Sequence, residues 1–483
     1  MSFRSWLLLL MAFTVISRLY ALNMTGGMIH PDSIYQYLEP VHIKIFGYGL
    51  MPWEYVDGIR SWFFPGIIYT IFKAGLLTGV SDILKLVFAV RALMMVVSIL
   101  LVYAVYRLAD AAYNRRTGLL AGFFTAASGL LYLWSARIMP EVPAALAVTG
   151  GLYFLLGSLK GRKHDAIFSG ILFGIAFMLK FNSAVYLMPL AAYLLIVRKF
   201  QILRYFSAGF AIVLLFQGLI DLATWGSFLH SPVAFFMANL VEKKSSIFGT
   251  EPPVYYLLPL LLHVPIMFFL PWSFERKRTA GLLWGTFLLY FTVFSLIPHK
   301  EMRFMFSALP LFFILSARGL DRMIEQSRPS YQQNIVVKYM FLSFIFIVLG
   351  AQLLIFFELP GQWGGGWTPF EDNFQAVRYV GQQDDAKALA YSIHWYLSGV
   401  YTYFHRDIPS YHIVDLEFVS SPQLNDRYVI PHSGFNTIGL DEITDHDINY
   451  VIITSPNGSV NDFLEDAGYR SVKSCGNVTV YKR

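Results

Sequence analysis

Residues 86–107 read LVFAVRALMMVVSILLVYAVYR. As an α-helix rising 1.5 Å per residue this run is about 33 Å long, enough to cross a hydrocarbon core of roughly 30 Å. Comparable runs recur at Ser5–Leu22, Gly118–Trp134, Glu141–Leu159, Ile167–Leu179, Ala184–Val197, Tyr205–Thr224, Val254–Trp272, Thr279–Ile297, Arg303–Leu315 and Val336–Phe357. The whole chain is 56% hydrophobic and 17% aromatic with only 14% charged residues, where a soluble domain carries about 25%. Its mean hydropathy is +0.52. The expectation is a polytopic α-helical membrane protein of about eleven crossings.

The basic residues test the topology. Arg107 with Arg115 and Arg116, Lys160 with Arg162 and Lys163, Arg198 with Lys199 and Arg204, Arg276-Lys277-Arg278, and Arg318 with Arg322 fall in alternate loops. They therefore share the cytoplasmic side. This parity requires that Phe63–Leu77, which carries Lys73 midway, lies at the interface without crossing. The first loop 23–85, the loop 225–253 and everything after Glu358 then face outward together. The net charge of +6 is spent on these topology signals, and no nucleic-acid partner is read from it. Ser5–Leu22 has no small-residue cleavage site after it and reads as a retained first helix. The one cysteine, Cys475, excludes an internal disulfide and any cysteine-based metal site.

Composition shifts after Pro360. Residues 1–358 form the membrane domain, 359–370 with their glycines a linker, and 371–483 a small extracytoplasmic domain of α/β or α+β type. Ala386–Ser392 and Asn449–Thr454 read as short buried strands, Asn457–Tyr469 as a turn and helix, and Val478–Tyr481 as a last strand. His394, His405 and His412 read as surface or core histidines. Sequons at Asn23, Asn457 and Asn477 all lie on the expected outer side.

The first outer loop gathers polar groups. His30 to His42 read HPDSIYQYLEPVH, followed by Lys44, Trp53-Glu54, Asp57, Arg60 and Ser61. On a helix starting near Asp32, Asp32, Gln36 and Glu39 share one face. That pattern serves a catalytic site and a solvated face alike. A second cluster is PHKEMRF, residues 298–304. His299, Lys300 and Arg303 suit a phosphate clamp oriented by Glu301, or cations snorkelling at a helix end. Asp221, near the end of a membrane helix, needs a partner or a polar cavity. Glu141, near Arg137, reads as an ion-pair residue without a catalytic role.

Taken in order, HPDSIYQYLEPVH, FGYGLMPWEYVDGIRSWFFP, ARIMPEVPAALA, DLATWGSF with SSIFGTEPP, and HKEMRF resemble the glycosyltransferase family 22 mannosyltransferases. These are GT-C membrane enzymes that use dolichyl-phosphate-mannose. FGTEPP and the closing VTVYKR are most similar to the branch that adds the third mannose to glycosylphosphatidylinositol (GPI) precursors. The family usually has Pro-Asp-Glu in the first loop, and this chain has Pro31-Asp32-Ser33.

The resemblance implies transfer of mannose from a β-linked dolichyl- or polyprenyl-phosphate donor to a hydroxyl of a glycolipid acceptor, with inversion. Asp32 is then the candidate base, supported by Glu39 or His42. Lys300 and Arg303, then His299 and Arg60, are the candidates for stabilising the departing lipid phosphate. No metal or other cofactor is required by this logic. The expected partners are the donor, the glycolipid acceptor and the bilayer. The expected membrane is the endoplasmic reticulum in a eukaryote or the plasma membrane in a prokaryote. Two rival readings remain: a GT-C transferase of another polyprenyl-phosphate sugar, and a lipid or sugar transporter. Transporters place polar groups near the membrane midplane at broken helices, and Lys180 with Asn182 is the feature here that most resembles this.

Overall fold

The computed structural model describes residues 2–27, 30–261, 263–326, 370–392, 399–416 and 436–483, with single positions at 343, 347, 350 and 368. Most of the expected span 336–357 and of the expected linker 359–370, and His394, lie outside these residues. The chain divides into two compact units: Met1–Met24 with Arg91–Leu359, and Thr25–Val90 with Pro360–Arg483. The first loop is therefore grouped with the C-terminal residues, where the sequence reading had assigned it to the membrane domain.

Among the described residues five helices are long and apolar enough to cross a membrane: Phe3–Met24, Ile83–Ala112, Glu141–Leu159, Phe200–Trp225 and Arg278–Leu296. Asp165–Leu179 is apolar but shorter. Two expected spans are broken. Gly118–Trp134 becomes Arg115–Ala127 and Gly129–Leu133, parted at Ser128, whose hydroxyl caps the second piece through Leu131 N at 3.4 Å. Val254–Trp272 becomes short 3-10 and α pieces at Pro253–Tyr256, Leu257–Leu261, Val264–Met267 and Leu270–Ser273. The sequence carries prolines at 259, 265 and 271 there, and each removes a backbone donor that a continuous helix needs. The expected span at Arg303–Leu315 begins instead as a 3-10 turn, Met302–Met305, before the helix Leu309–Gln326.

Helix–helix contact in this unit depends on small residues. Asp165–Leu179 carries Gly170 and Gly174 four apart, and it packs on Phe200–Trp225. A Cβ on Gly170 would collide with the Phe206 carbonyl, and one on Gly209 with the Ile167 carbonyl. The two backbones meet through absent side chains, as in membrane helix pairs generally. Two of the polar groups buried in this unit are well supplied with partners. Arg18, fully buried on the first helix, gives hydrogen bonds to Ser98 Oγ (3.3 Å) and to the Ala126 (2.8 Å) and Thr125 (3.5 Å) carbonyls. These carbonyls end Arg115–Ala127, where the helix dipole favours a cation. Asp221, also fully buried, accepts from Gln217 Nε2 (2.8 Å) and from Ser231 N (3.0 Å) and Oγ (2.8 Å). It is thereby tied to the start of the next helix, His230–Phe236.

In the second unit the C-terminal residues form one six-stranded sheet. Its strands are β1 Leu389–Tyr391, β2 Ser410–Ile413, β3 Asn436–Ile438, β4 Tyr450–Thr454, β5 Arg470–Cys475 and β6 Val478–Lys482, in the order β3-β2-β1-β4-β6-β5. The first four are parallel, and β6 and β5 close the sheet as an antiparallel hairpin. Val451 and Ile453 of β4 join Ala390, Ile413, Val460 and Leu464 in one core, which brings in the helix Gly458–Asp466. Helix Glu371–Gly381 packs on β4, β5 and β6. Both faces of the central strands are buried, which matches their continuous apolar runs. The first loop contributes a π-helical turn, Ser33–Leu38, and the helices Glu39–Phe46, Trp53–Val56 and Phe63–Leu77. The last has 15 residues, about 22 Å, which is short of a crossing.

Candidate active site

Asp32 stands at the N-terminus of the π turn, its side chain 16% exposed and its Oδ1 3.5 Å from His30 Nδ1. A π turn closes i→i+5 bonds and so takes in more residues than an α turn. The face expected to hold Asp32, Gln36 and Glu39 together is therefore split. Gln36 turns to Glu54, donating from Nε2 to Oε1 at 2.8 Å. Glu39 turns to the C-terminal part of the same unit.

Glu39 is fully buried and both its oxygens are used. Oε1 accepts from Leu50 N at 3.0 Å; Oε2 accepts from Thr402 N at 2.9 Å and Thr402 Oγ1 at 2.6 Å. Burial pushes its carboxyl up to about 7 against the opposing pull of these donors. His42, one turn on, shares a hydrogen bond between Nε2 and His405 Nδ1 at 2.9 Å and meets the Tyr48 carbonyl through Nδ1 at 3.1 Å. Burial, then the neighbouring His405, pulls His42 down to about 4. His405 is lowered too, chiefly by burial. Glu39 and His42, expected beside the catalytic acid, are instead two rungs joining the first loop to the helix Val400–Phe404 and its C-terminal edge.

Glu54 lies on the short helix Trp53–Val56 and is 7% exposed. The Tyr55 hydroxyl fixes this helix to the π turn by donating to the Gln36 carbonyl at 2.7 Å. Arg60 Nη2 is 3.8 Å from Glu54 Oε1, and the Arg60 side chain is 29% exposed. Burial raises the Glu54 carboxyl to about 7; Arg60 opposes this and the Asp32 charge adds to it. Asp32, Gln36, Glu54 and Arg60 thus form one polar group in this unit. The sequence reading had noted Glu54 only as a polar residue of the loop. An acid flanked by Trp53 and Tyr55 was the signal that it is buried.

The PHKEMRF residues belong to the other unit, and their expected clamp is largely spent internally. Lys300, 2% exposed, gives its ammonium to the carbonyls of Ile297 (2.6 Å), Glu251 (2.7 Å) and Pro298 (3.4 Å). His299 meets the Gly249 carbonyl through Nδ1 (2.9 Å) and Glu301 Oε1 through Nε2 (3.1 Å). Burial alone would lower His299, but Glu301 and the Gly249 carbonyl outweigh it and raise its pKa. Arg303 is forked on Glu301, Nε to Oε2 at 2.5 Å and Nη2 to Oε1 at 3.0 Å, and its Nη1 is 3.4 Å from Glu141 Oε1. Lys180 Nζ reaches the same Glu141 oxygen at 2.5 Å. Glu141 Oε2 is buried with no hydrogen-bond partner among the described residues. The motif locks the 249–251 loop to the junction after Arg278–Leu296 and completes a buried charge cluster. Glu141, expected near Arg137 as an ion-pair residue, pairs with Lys180 and Arg303. Among the described residues no three His, Cys, Asp or Glu side chains gather as a metal ion would need.

The chain matches the profile of the Alg9-like mannosyltransferase family over residues 6–405. Mannosyltransferase APTG1 of Arabidopsis thaliana is 23% identical over 96% of this chain and 87% of its own length. Human GPI alpha-1,2-mannosyltransferase 3 is 22% identical over 71% of this chain and 62% of its own. A probable Dol-P-Man:Man(7)GlcNAc(2)-PP-Dol alpha-1,6-mannosyltransferase of Schizosaccharomyces pombe is 30% identical over 51% and 47%. Among solved structures, ArnT from Cupriavidus metallidurans bound to undecaprenyl phosphate aligns with a TM-score of 0.67 at 12% identity, covering 99% of this chain and 98% of that one. The Archaeoglobus fulgidus oligosaccharyltransferase aligns with a TM-score of 0.53 at 12% identity, covering 92% and 69%. The fold is therefore that of the GT-C membrane glycosyltransferases, and the chain belongs to the Alg9-like mannosyltransferase family.

Proposed function

We propose that the protein is an inverting α-mannosyltransferase that moves mannose from dolichyl- or polyprenyl-phosphate-mannose to a glycolipid acceptor such as a GPI precursor or a lipid-linked glycan. The observation that carries this reading is Asp32: a partly exposed carboxylate on the first loop of a family member, set beside His30, Gln36, Glu54 and Arg60. The similarity to GPI and lipid-linked-glycan mannosyltransferases supports the donor and acceptor classes. The basic loops support a lumenal or extracytoplasmic site, in the endoplasmic reticulum of a eukaryote or the plasma membrane of a prokaryote.

In the proposed step the acceptor hydroxyl oxygen attacks the anomeric carbon of the β-linked mannosyl phosphate. Asp32 takes the hydroxyl proton as the new C–O bond forms. The bond from the anomeric carbon to the phosphate oxygen breaks, and its electron pair leaves with the lipid phosphate. A fixed cation near that phosphate lowers the barrier. Arg60, on the same loop as Asp32 and with its side chain 29% exposed, takes this role. Glu39 and His42 brace the loop, and the step invokes no metal ion.

The test is transfer of radiolabelled mannose from synthetic polyprenyl-phosphate-mannose by the purified protein and by Asp32→Asn, with folding and donor binding measured alongside. A folded variant that binds donor and has lost transfer by about 100-fold or more supports the reading. An Asp32→Asn protein that transfers at the wild-type rate refutes Asp32 as base. A wild type that releases mannose to no glycolipid acceptor, but transfers another polyprenyl-linked sugar, refutes the donor assignment.

A further inference from the structure

The helix Leu187–Ile196 ends in a way that its sequence does not favour. Lys199 N donates to the Leu194 carbonyl (2.8 Å) and Arg198 N to the Leu195 carbonyl (3.0 Å), the pair of bonds that closes a helix through one left-handed residue. That residue is Arg198, at φ 53°. Glycine takes such a position freely, whereas a side chain there costs free energy. A topology signal needs only a number of cations near the membrane, which leaves unexplained why one stands where glycine is favoured.

Arg198 belongs to a basic patch built from two turns, residues 160–165, KGRKHD, and 197–205, VRKFQILRY. The turns lie together because the helices that follow them, Asp165–Leu179 and Phe200–Trp225, run side by side in the same direction. The His164 and Tyr205 rings are 6.1 Å apart, and further along Gly170 faces the Phe206 carbonyl and Gly174 faces Val213. Asp165, the one acid in these turns, is paired with Arg162 at 3.0 Å. Lys163, Arg198, Lys199 and Arg204 are exposed, and their side chains have no hydrogen-bond or ion-pair partner among the described residues. Next to them in the chain Ile196 is 79% exposed and Phe200 52%. We propose that this patch holds the headgroup of an anionic bilayer phospholipid, and that Arg198 is retained in its left-handed position to reach the phosphate. Unpaired charges of one sign attract an anion, and apolar side chains beside them give its acyl chains a surface that a soluble anion cannot use. The lipid is a bound neighbour and undergoes no reaction. No residue of the patch takes part in the proposed mannose transfer, so the two readings stand or fall separately.

The probes are phosphatidylglycerol and phosphatidylcholine with the same acyl chains, titrated against the full-length protein in neutral detergent, with bound lipid read by native mass spectrometry. The wild type is expected to bind phosphatidylglycerol about 25-fold tighter or more, as two or more cations give at about fivefold each. Arg198→Gly is expected to weaken phosphatidylglycerol about fivefold and to leave phosphatidylcholine unchanged. It should melt no lower than the wild type, because glycine suits the left-handed position, so the lost binding is not lost folding. Lys199→Gln carries the same fivefold expectation and serves should Arg198→Gly not fold. Lys473→Gln, on the exposed face of β5, removes a charge elsewhere and should leave the preference intact. Equal affinity for the two lipids, an unchanged preference in Arg198→Gly and Lys199→Gln, or an equal loss in Lys473→Gln would overturn the proposal. So would displacement of the lipid by millimolar inorganic phosphate, which would make the patch a site for a soluble anion.

Discussion

Glu39 makes a pH-dependent contribution to stability whose sign is opposite to that of an ordinary surface carboxylate. Its pKa is raised by burial from 4.5 to about 7, so the folded protein holds a proton that the unfolded chain gives up. Stability from this group is fully present below about pH 4.5 and is lost as pH rises through about 7. Between pH 5 and pH 8 the loss comes to about 2.5 kcal/mol, at about 1.4 kcal/mol per pK unit. Melting of the unit containing the first loop and the C-terminal sheet should fall by about 5–10 °C over that interval from Glu39 alone. His42 and His405 act in the other direction: their lowered pKa values mean that stability is lost as pH falls below the usual histidine range. The informative quantity is therefore the difference between wild type and Glu39→Gln, followed by the intrinsic fluorescence of the aromatic-rich unit in detergent at pH 5, 6.5 and 8. Glu39→Gln should lose most of the alkaline decline while remaining less stable at pH 5, because one amide N–H now faces the Leu50 or Thr402 N–H. An alkaline decline equal to that of the wild type would refute the assignment of a buried, proton-holding Glu39.

Two further outcomes concern the other unit. Glu141→Gln leaves Lys180 and Arg303 facing a neutral side chain in a buried cluster, which should cost about 3–5 kcal/mol. Adding Lys180→Met should recover part of that loss, and strictly additive losses in a double-mutant cycle would show that the two do not act as a pair. Gly170→Ala should lower the melting temperature despite the ~1 kcal/mol that alanine gains in a helix, because overpacking against the Phe206 carbonyl costs about 1–3 kcal/mol; a variant that melts as the wild type does would mean that the two helices slide apart freely.

How much of this was legible in the sequence depends on the kind of interaction. Five membrane helices were, because apolar length alone specifies them, and 86–107 was recovered within the helix Ile83–Ala112. The two buried strands at 389–391 and 450–454 were legible for the same reason, and β2, β3 and β5 were not, being short or edge-like with mixed burial. The broken stretch 254–272 carried its signal in regularly spaced prolines that hydropathy ignores. The site was only half legible. Asp32 was found by motif, but the grouping of Asp32, Gln36 and Glu39 assumed 3.6 residues per turn, and the π turn at 33–38 redistributes them. Lys300 and His299 read as free cations because their partners are the carbonyls of Gly249, Glu251, Ile297 and Pro298, and every residue type presents a carbonyl. No spacing rule distinguishes a carbonyl that will be near from one that will not.

The two rungs of the brace have a consequence for biosynthesis. Glu39 lies 363 residues before Thr402, and His42 lies 363 before His405. The first loop is made 363 residues ahead of its partners. At 5–20 residues per second, that interval is roughly 20–70 s. Throughout it Glu39 has only its Leu50 partner and His42 only the Tyr48 carbonyl, both within the first loop itself. A chain that stops before Thr402 lacks both rungs. The emergence of Thr402 and His405 thus times the closing of both rungs on the first loop.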